Sequence, residues 1–146
     1  MIKVHIILDK YDWEIFAYFA VTKYDVEDIM ERLWSIGCNG WQAEEAYKNL
    51  TKNKLNSGLT YSSYIKHQSV IVTALTDSPA QFFNSFLHEV IAHCVDHISD
   101  TLYISKRSEE YAYLIGDLGM SIFPHVQHLL CECCSKKKKR KRKLLK

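Results

Sequence analysis

The segment Ser78–Ser99, SPAQFFNSFLHEVIAHCVDHIS, carries the clearest helical pattern of the 146-residue chain. Ser78 is a suitable N-cap, Pro79 fits the first helical position, and Gln81 completes a capping box. At about 100° per residue, one apolar stripe runs along the segment, formed by Phe83, Leu87, Val90, Ile91, Cys94 and Ile98. A stripe of this kind predicts an amphipathic helix that packs on the core of the domain.

The polar edge of the same segment contains His88, Glu89 and His93. Zinc enzymes with the motif HExxH place two histidines one helical turn apart on one metal. The glutamate after the first histidine activates the bound water. Here the spacing is one residue longer, HExxxH, which puts His88 and His93 roughly 140° apart on a straight α-helix. On such a helix the two imidazoles do not share a metal.

Two helix geometries fit these residues. A one-residue π-bulge within residues 89–92 aligns His88 with His93 and leaves Glu89 as the general base; such bulges are rare but collect at functional sites. On a straight helix, Glu89, His93 and His97 form a row with i, i+4, i+8 spacing, which describes a structural or degenerate site. Because a straight helix keeps the apolar stripe continuous, the pattern favours the straight geometry.

A third metal ligand is available on the helix predicted to follow. Glu110 comes 17 residues after His93 and heads a row with Leu114 and Leu118. Since that row belongs to the apolar face of the helix, we expect Glu110 to point inward. Glu109 lies on the other side. A glutamate completes the ligand set of some zinc enzymes.

The rest of the chain predicts a small sheet with helices. Strands are predicted at residues 2–8, 13–21, 59–64 and 69–75, helices at residues 25–36, 42–50 and 108–123, and a loop at residues 51–58. The first two strands should form an antiparallel hairpin, with Ile15 and Val21 on the same face of the second. Pro124 should end or kink the last helix near Phe123. This order predicts an α+β fold, a mainly antiparallel sheet packed with helices.

The charge of the chain is divided between an acidic body and a basic end. Residues 136–146, KKKKRKRKLLK, contain nine of the 19 Lys and Arg, so the rest has ten basic and 17 acidic residues and a net charge of −7. We therefore divide the chain into one domain, residues 1–130, and a Cys-rich, polybasic tail, residues 131–146. A basic tail holds nucleic acid, an anionic surface or an acidic protein by charge alone.

The cysteines and the hydropathy pattern bear on the compartment. The five cysteines are an odd number, clustered at the end in the run CECC, and this does not predict a disulfide framework. Cys38 and Cys94 are expected to be buried and reduced. No apolar run reaches the ~18 residues of a spanning helix, and the N-terminus lacks the features of a signal peptide. These features predict a cytoplasmic protein.

Two segments, SVIVTALTDSPAQFFNSFLHEVIAHCVDHI and SEEYAYLIGDL, resemble a group of small uncharacterised zincin-like proteins of gut Bacteroidales and their phages or mobile elements. The resemblance covers roughly residues 60–130. It implies a zincin-like fold with zinc at His88 and His93, Glu89 as the base, and Glu110 or Glu109 as the third ligand. It implies no substrate.

Three functional hypotheses follow. The first is a zinc metallopeptidase that cleaves peptide bonds through a metal-activated water, with Glu89 as the proton acceptor. The second is a non-enzymatic interaction protein of a phage or mobile element, with a degenerate site and a basic tail that contacts nucleic acid or an acidic partner. The third is a nucleic-acid binder driven by residues 136–146 alone. Whether His88 or Glu89 faces His93 separates the first hypothesis from the second. Binding that collapses between low and physiological salt, and vanishes on deletion of residues 136–146, would identify the third.

Overall fold

A computed structural model describes residues 1–52 and 58–133 of the chain. The strands are β1 Ile2–Leu8, β2 Trp13–Val21, β3 Leu59–Ser63 and β4 Gln68–Ala74, and the helices are α1 Val26–Ser35, α2 Gly40–Thr51, α3 Pro79–Phe86, a π-helix Leu87–Cys94, α4 Val95–Leu102 and α5 Glu109–Val126. The fold is α+β, as predicted. The predicted loop at residues 51–58 and the predicted tail fall mainly on residues 53–57 and 134–146, which lie outside the described part, so both stay predictions.

The four strands form one mixed sheet in the order β1-β2-β4-β3. β1 and β2 form the predicted antiparallel hairpin, and β3 pairs antiparallel with β4 as an edge strand. The two central strands, β2 and β4, run parallel to each other. Local periodicity does not reveal that pairing, because α1, α2 and β3 separate the two strands along the chain.

Helices cover both faces of the sheet. On one face, α1 and α2 pack on the sheet. The core between them includes Leu33, Ile36, Leu50, Val70 and Val72. The core on the other face is built around Ile15, Phe19, Ile71, Val90, Ile98, Leu114 and Leu118. The second core holds the segment from α3 to α4 against the sheet, and this packing positions the candidate site.

The alternation of inward and outward side chains along β2 reverses near the end of the strand. The pairing with β4 shifts register between Tyr18 and Val21, and Ala20 has a positive φ of 55°. Because an extra residue in a strand reverses the faces of the residues that follow, Val21 lies in the same core as Tyr18. The prediction that Val21 shares a face with Ile15 was therefore wrong.

Helix α5 begins as predicted and ends later than predicted. The Ser108 side chain accepts a hydrogen bond from the Tyr111 backbone N–H and caps the helix. The helix continues through Pro124 to Val126, so the predicted end near Phe123 was three residues short. A proline near the last turn disturbs few hydrogen bonds, and Val126 is fully buried against the core.

Across the residues described by the structure, no helix has the length and apolar character needed to cross a membrane.

The burial of α5 leads to a stability prediction. Leu118 is fully buried, whereas Met120 on the same helix is 72% exposed. Leu118→Ala should lower the free energy of unfolding by about 2–5 kcal/mol, because it removes buried apolar surface and leaves a cavity. Met120→Ala should change that free energy by less than about 0.5 kcal/mol. Urea denaturation of both variants measures the difference, and equal midpoints would contradict the packing of α5.

Candidate metal centre

The central helical segment contains a π-helix, and this brings His88 and His93 together. The backbone N–H of Val95 bonds the carbonyl of Val90, five residues back. The Nε2 atoms of His88 and His93 are 3.2 Å apart, and their rings meet nearly at right angles with centroids 4.7 Å apart. This is the bulged geometry, so the expectation of a straight helix was wrong.

The burial pattern explains why the helix accepts an extra residue. Phe82 and Phe86 are buried, and the predicted stripe members Phe83 and Leu87 are exposed. Phe82 and Ile98 both face the sheet, yet they are about 160° apart on a straight α-helix. One inserted residue reduces that angle by about 100°. The π-helix therefore lets both ends of the segment bury their apolar side chains.

Glu89 lies between the π-helix and the edge strand β3. Its side chain is only 4% exposed, and Thr60 Oγ1–H donates a hydrogen bond of 2.6 Å to Glu89 Oε2. Gly58 leaves room for the carboxylate, because a Cβ at that position would lie 2.8 Å from Glu89 Cγ and 2.6 Å from the Val72 carbonyl oxygen. Burial raises the pKa of Glu89, and the Thr60 bond and the nearby histidines oppose that rise in part.

His88, Glu89 and His93 form a group that could hold a metal ion, with one ligand atom from each within 4.8 Å of the others. His88 Nε2 lies 3.8 Å from Glu89 Oε1. Two nitrogens on a tetrahedral zinc at 2.0–2.1 Å stand about 3.3 Å apart, close to the separation of the two Nε2 atoms. The same separation suits a hydrogen bond between one protonated and one unprotonated imidazole nitrogen. Both histidines are exposed, so the site opens to solvent.

His97 lies beside this group but is not one of its members. Its ring centroid is 6.4 Å from that of His93, and its Nδ1 is 2.8 Å from Ser62 Oγ. Ser62 Oγ is 2.7 Å from Ser69 Oγ, which accepts a bond from Trp13 Nε1–H. Burial, and secondarily the charge of His93, lower the pKa of His97. These hydrogen bonds connect the His97 ring to the sheet.

The two glutamates predicted on α5 do not join the site. Glu109 and Glu110 are both exposed in its first turn, and the expectation that Glu110 points inward was wrong. Leu114 and Leu118, in the same row, are fully buried. An exposed carboxylate in the first turn stays hydrated, and the positive end of the helix dipole stabilises its charge. The row turns inward only after that first turn.

The sequence interpretation missed the contribution of β3. Thr60 contacts Glu89, and Ser62 contacts His97, so two alternate residues of one strand support the site. The period-2 pattern in LTYSS places Thr60 and Ser62 on one face of the strand. No local pattern indicates that this face lies against the π-helix, because the contact between Thr60 and Glu89 spans 29 residues.

The Thr60 contact leads to a second prediction. Thr60→Val keeps the shape of the side chain but removes the hydrogen-bond donor to a buried carboxylate. We expect the free energy of unfolding to fall by about 2 kcal/mol, since a buried carboxyl oxygen then lacks its hydrogen-bond donor. Thr60→Ser is the matched control and should stay close to the wild type. Urea denaturation compares the three proteins, and identical midpoints for the valine and serine variants would contradict the assignment.

The chain matches no protein-family model, no curated protein sequence and no solved structure. Its function is therefore inferred from the geometry of His88, Glu89 and His93 and from the residues that support them.

Proposed function

We propose that His88 and His93 bind a zinc ion and that the protein is a zincin-like hydrolase of peptide bonds with Glu89 as its general base. The observation that carries the proposal is the 3.2 Å separation of the two Nε2 atoms, produced by a π-helix where a straight helix would separate them. Neutral imidazole is a common zinc ligand, and π-bulges collect at functional sites. Two histidines on one metal, with an adjacent glutamate as the general base, is the arrangement of the HExxH metallopeptidases.

The chemistry divides between the metal and this chain. When bound, zinc supplies Lewis acidity toward a carbonyl oxygen and a water molecule. Glu89 would accept a proton from the attacking water through Oε1, since Thr60 holds Oε2, and would deliver it to the leaving amine. Burial raises the pKa of Glu89, which makes its carboxylate a stronger base than one in water. Thr60 acts as a positioning residue for that base.

His97 is the better candidate for a third ligand, ahead of Glu110. Its Nδ1 is taken by Ser62, so Nε2 is the nitrogen available to a metal. If Nδ1–H donates to the Ser62 hydroxyl, that hydroxyl in turn donates to Ser69 Oγ on β4. A hydrogen bond from the second nitrogen is typical of metal-bound histidine. Glu110 is exposed on another helix and has no such support.

The alternative is a catalytically degenerate zincin-fold protein of a phage or mobile element. The exposure of Glu110 favours it, because the carboxylate ligand expected from α5 is missing from the group. Nine Lys and Arg in residues 136–146 would then supply the function by holding nucleic acid or an acidic partner.

Metal content is the first test of the zinc proposal. Elemental analysis of untagged protein should find about one zinc ion per chain. His88→Ala and His93→Ala should each lose that zinc, because each removes one of the few protein ligands that a zinc site needs. His125→Ala, an exposed histidine on α5, is the matched control and should keep it. A variant with Cys131, Cys133 and Cys134 replaced by serine excludes zinc bound by thiols. Zinc-free wild type after incubation with zinc would overturn the proposal.

The role of Glu89 is tested separately from metal binding. Glu89→Gln should keep the zinc but lower the peptidase rate by 10²-fold or more, the usual scale of general acid–base catalysis. Glu110→Gln is the control and should change neither quantity. Loss of zinc in Glu89→Gln would instead identify Glu89 as a metal ligand and remove the catalytic role.

The alternative makes its own prediction for the basic tail. Binding to a DNA or RNA oligonucleotide should weaken steeply between low and physiological salt, since each neutralised phosphate releases counterions. Deletion of residues 136–146 should abolish that binding and leave zinc content unchanged. Fluorescence anisotropy across a salt series measures it, and binding that survives the deletion would assign the contact to the folded part.

A further inference from the structure

The side of helix α5 that faces solvent is uncharged over most of its length. Between Tyr111 and Val126 the sequence contains one Asp and no Glu, Lys or Arg. That residue, Asp117, accepts a hydrogen bond of 3.2 Å from the hydroxyl of Tyr11, in the turn after β1. Over residues 112–123 the exposed residues are Ala112, Tyr113, Gly116, Met120 and Phe123. We call these five residues the outer face of α5.

The helices on the opposite face of the sheet differ from α5 in this respect. Helix α1 exposes Glu27 and Glu31, and helix α2 exposes Glu44 and Lys48. Charged residues on the outer side are typical of a helix that faces water, whereas a helix that is apolar on all sides is typically buried. The outer face of α5 therefore has the composition of a contact surface.

We propose that this face joins two copies of the chain in a homodimer, with α5 of one copy packed antiparallel on α5 of the other. A two-fold axis beside Leu118 brings residues at equal distances on either side of position 118 opposite each other. Met120 and Gly116 are each two residues from that position, and Tyr113 and Phe123 are each five residues from it. Each large side chain of one copy thus has a matching position on the other.

The glycines of α5 provide the space that such a contact needs. A Cβ added at Gly116 or Gly119 would meet no neighbouring atom within 4 Å among the described residues. The distance between two packed helices depends on the side chains at their contact, so Gly116 admits Met120 of the second copy. A two-fold contact uses the same surface twice, and this surface supplies both the projecting side chains and the depressions.

The charges around the face favour a second copy in this orientation. Outside residues 136–146 the chain has a net charge of −7, so two copies repel each other, and an uncharged face adds nothing to that repulsion. Lys10 Nζ lies 5.5 Å from the ring centre of Tyr113. In the antiparallel pair, Tyr113 lies beside Phe123 in the last turn of the other α5. The C-terminal end of a helix attracts a cation, here Lys10.

The exposed area indicates how strong the contact is. The exposed fraction is 72% for Met120, 59% for Tyr113 and 52% for Phe123. With about 200 Å² for a side chain of this size, the face offers roughly 500 Å² per copy and about 1,000 Å² in the pair. Interfaces of that size are small and reversible. We therefore expect a dimer that dissociates on dilution.

The experiment is analytical ultracentrifugation of the full chain, with a reductant present so that thiols do not cross-link copies. Between about 5 and 500 μM the average mass should rise from one chain toward two. Met120→Glu should raise the dissociation constant by about tenfold or more, because it places a charge in an apolar contact. Ile65→Glu makes the same change at a side chain that is 96% exposed between β3 and β4, and this control should leave the constant unchanged.

Gly116→Leu separates a second copy from general attraction to apolar surfaces. The new side chain occupies the space of Met120 of the other copy, so the dissociation constant should rise about tenfold. The monomer should lose no stability, because leucine is a better helix former than glycine and the space beside Gly116 is open. Urea denaturation at about 1 μM, where the pair has dissociated, measures the monomer.

Four results would overturn the proposal. The first is a mass of one chain at every concentration. The second is a dimer that Met120→Glu leaves unchanged, and the third is tighter association of Gly116→Leu. The fourth is a monomer that binds phosphatidylcholine–phosphatidylglycerol vesicles and loses that binding in Met120→Glu, which would assign the face to a lipid surface. None of these results affects the zinc proposal, because His88 and His93 are unchanged in every variant.

Discussion

One extra residue in the helical turn between Leu87 and Cys94 is the constraint on which the site depends. It allows Phe82 and Ile98 to pack on the same core, although a straight helix would turn one of them to solvent. Burying a side chain of that size contributes about 1.5–3 kcal/mol, which offsets the poorer hydrogen-bond geometry of a π-turn. The pairing of His88 with His93 follows from this packing.

The burial of Glu89 is the second constraint on the site. A polar group away from water destabilises a fold unless it has hydrogen-bond partners, and the partner of the Glu89 carboxyl group is the Thr60 hydroxyl on β3. The result is a carboxylate held inside and two imidazoles held at the surface. Carboxyl groups whose pKa is shifted by burial concentrate at functional sites. The burial of Glu89 beside His88 and His93 therefore supports a chemical role for this turn of helix.

Much of the fold was predictable because strands and helices have different periods of hydrophobicity. The four strands, the hairpin, the edge position of β3 and the α+β class all follow from local patterns. The errors have particular causes. The parallel pairing of β2 with β4 joins segments that are distant in the chain. The register shift near Ala20 places Val21 in the core on the other face of the sheet. Helix α5 continues past Pro124 to Val126, which packs in the core.

The sequence by itself determined which chemical groups are available and how they are spaced: the HExxxH run, the cap at Ser108, the clustered cysteines and the basic end. Tertiary structure decided which of them meet. It joined His88 to His93, placed Thr60 on Glu89 across 29 residues, and left Glu110 in solvent. The physical reason is that spacing sets directions on one regular element. Contacts between elements, and departures such as a π-turn, depend on how the whole core packs.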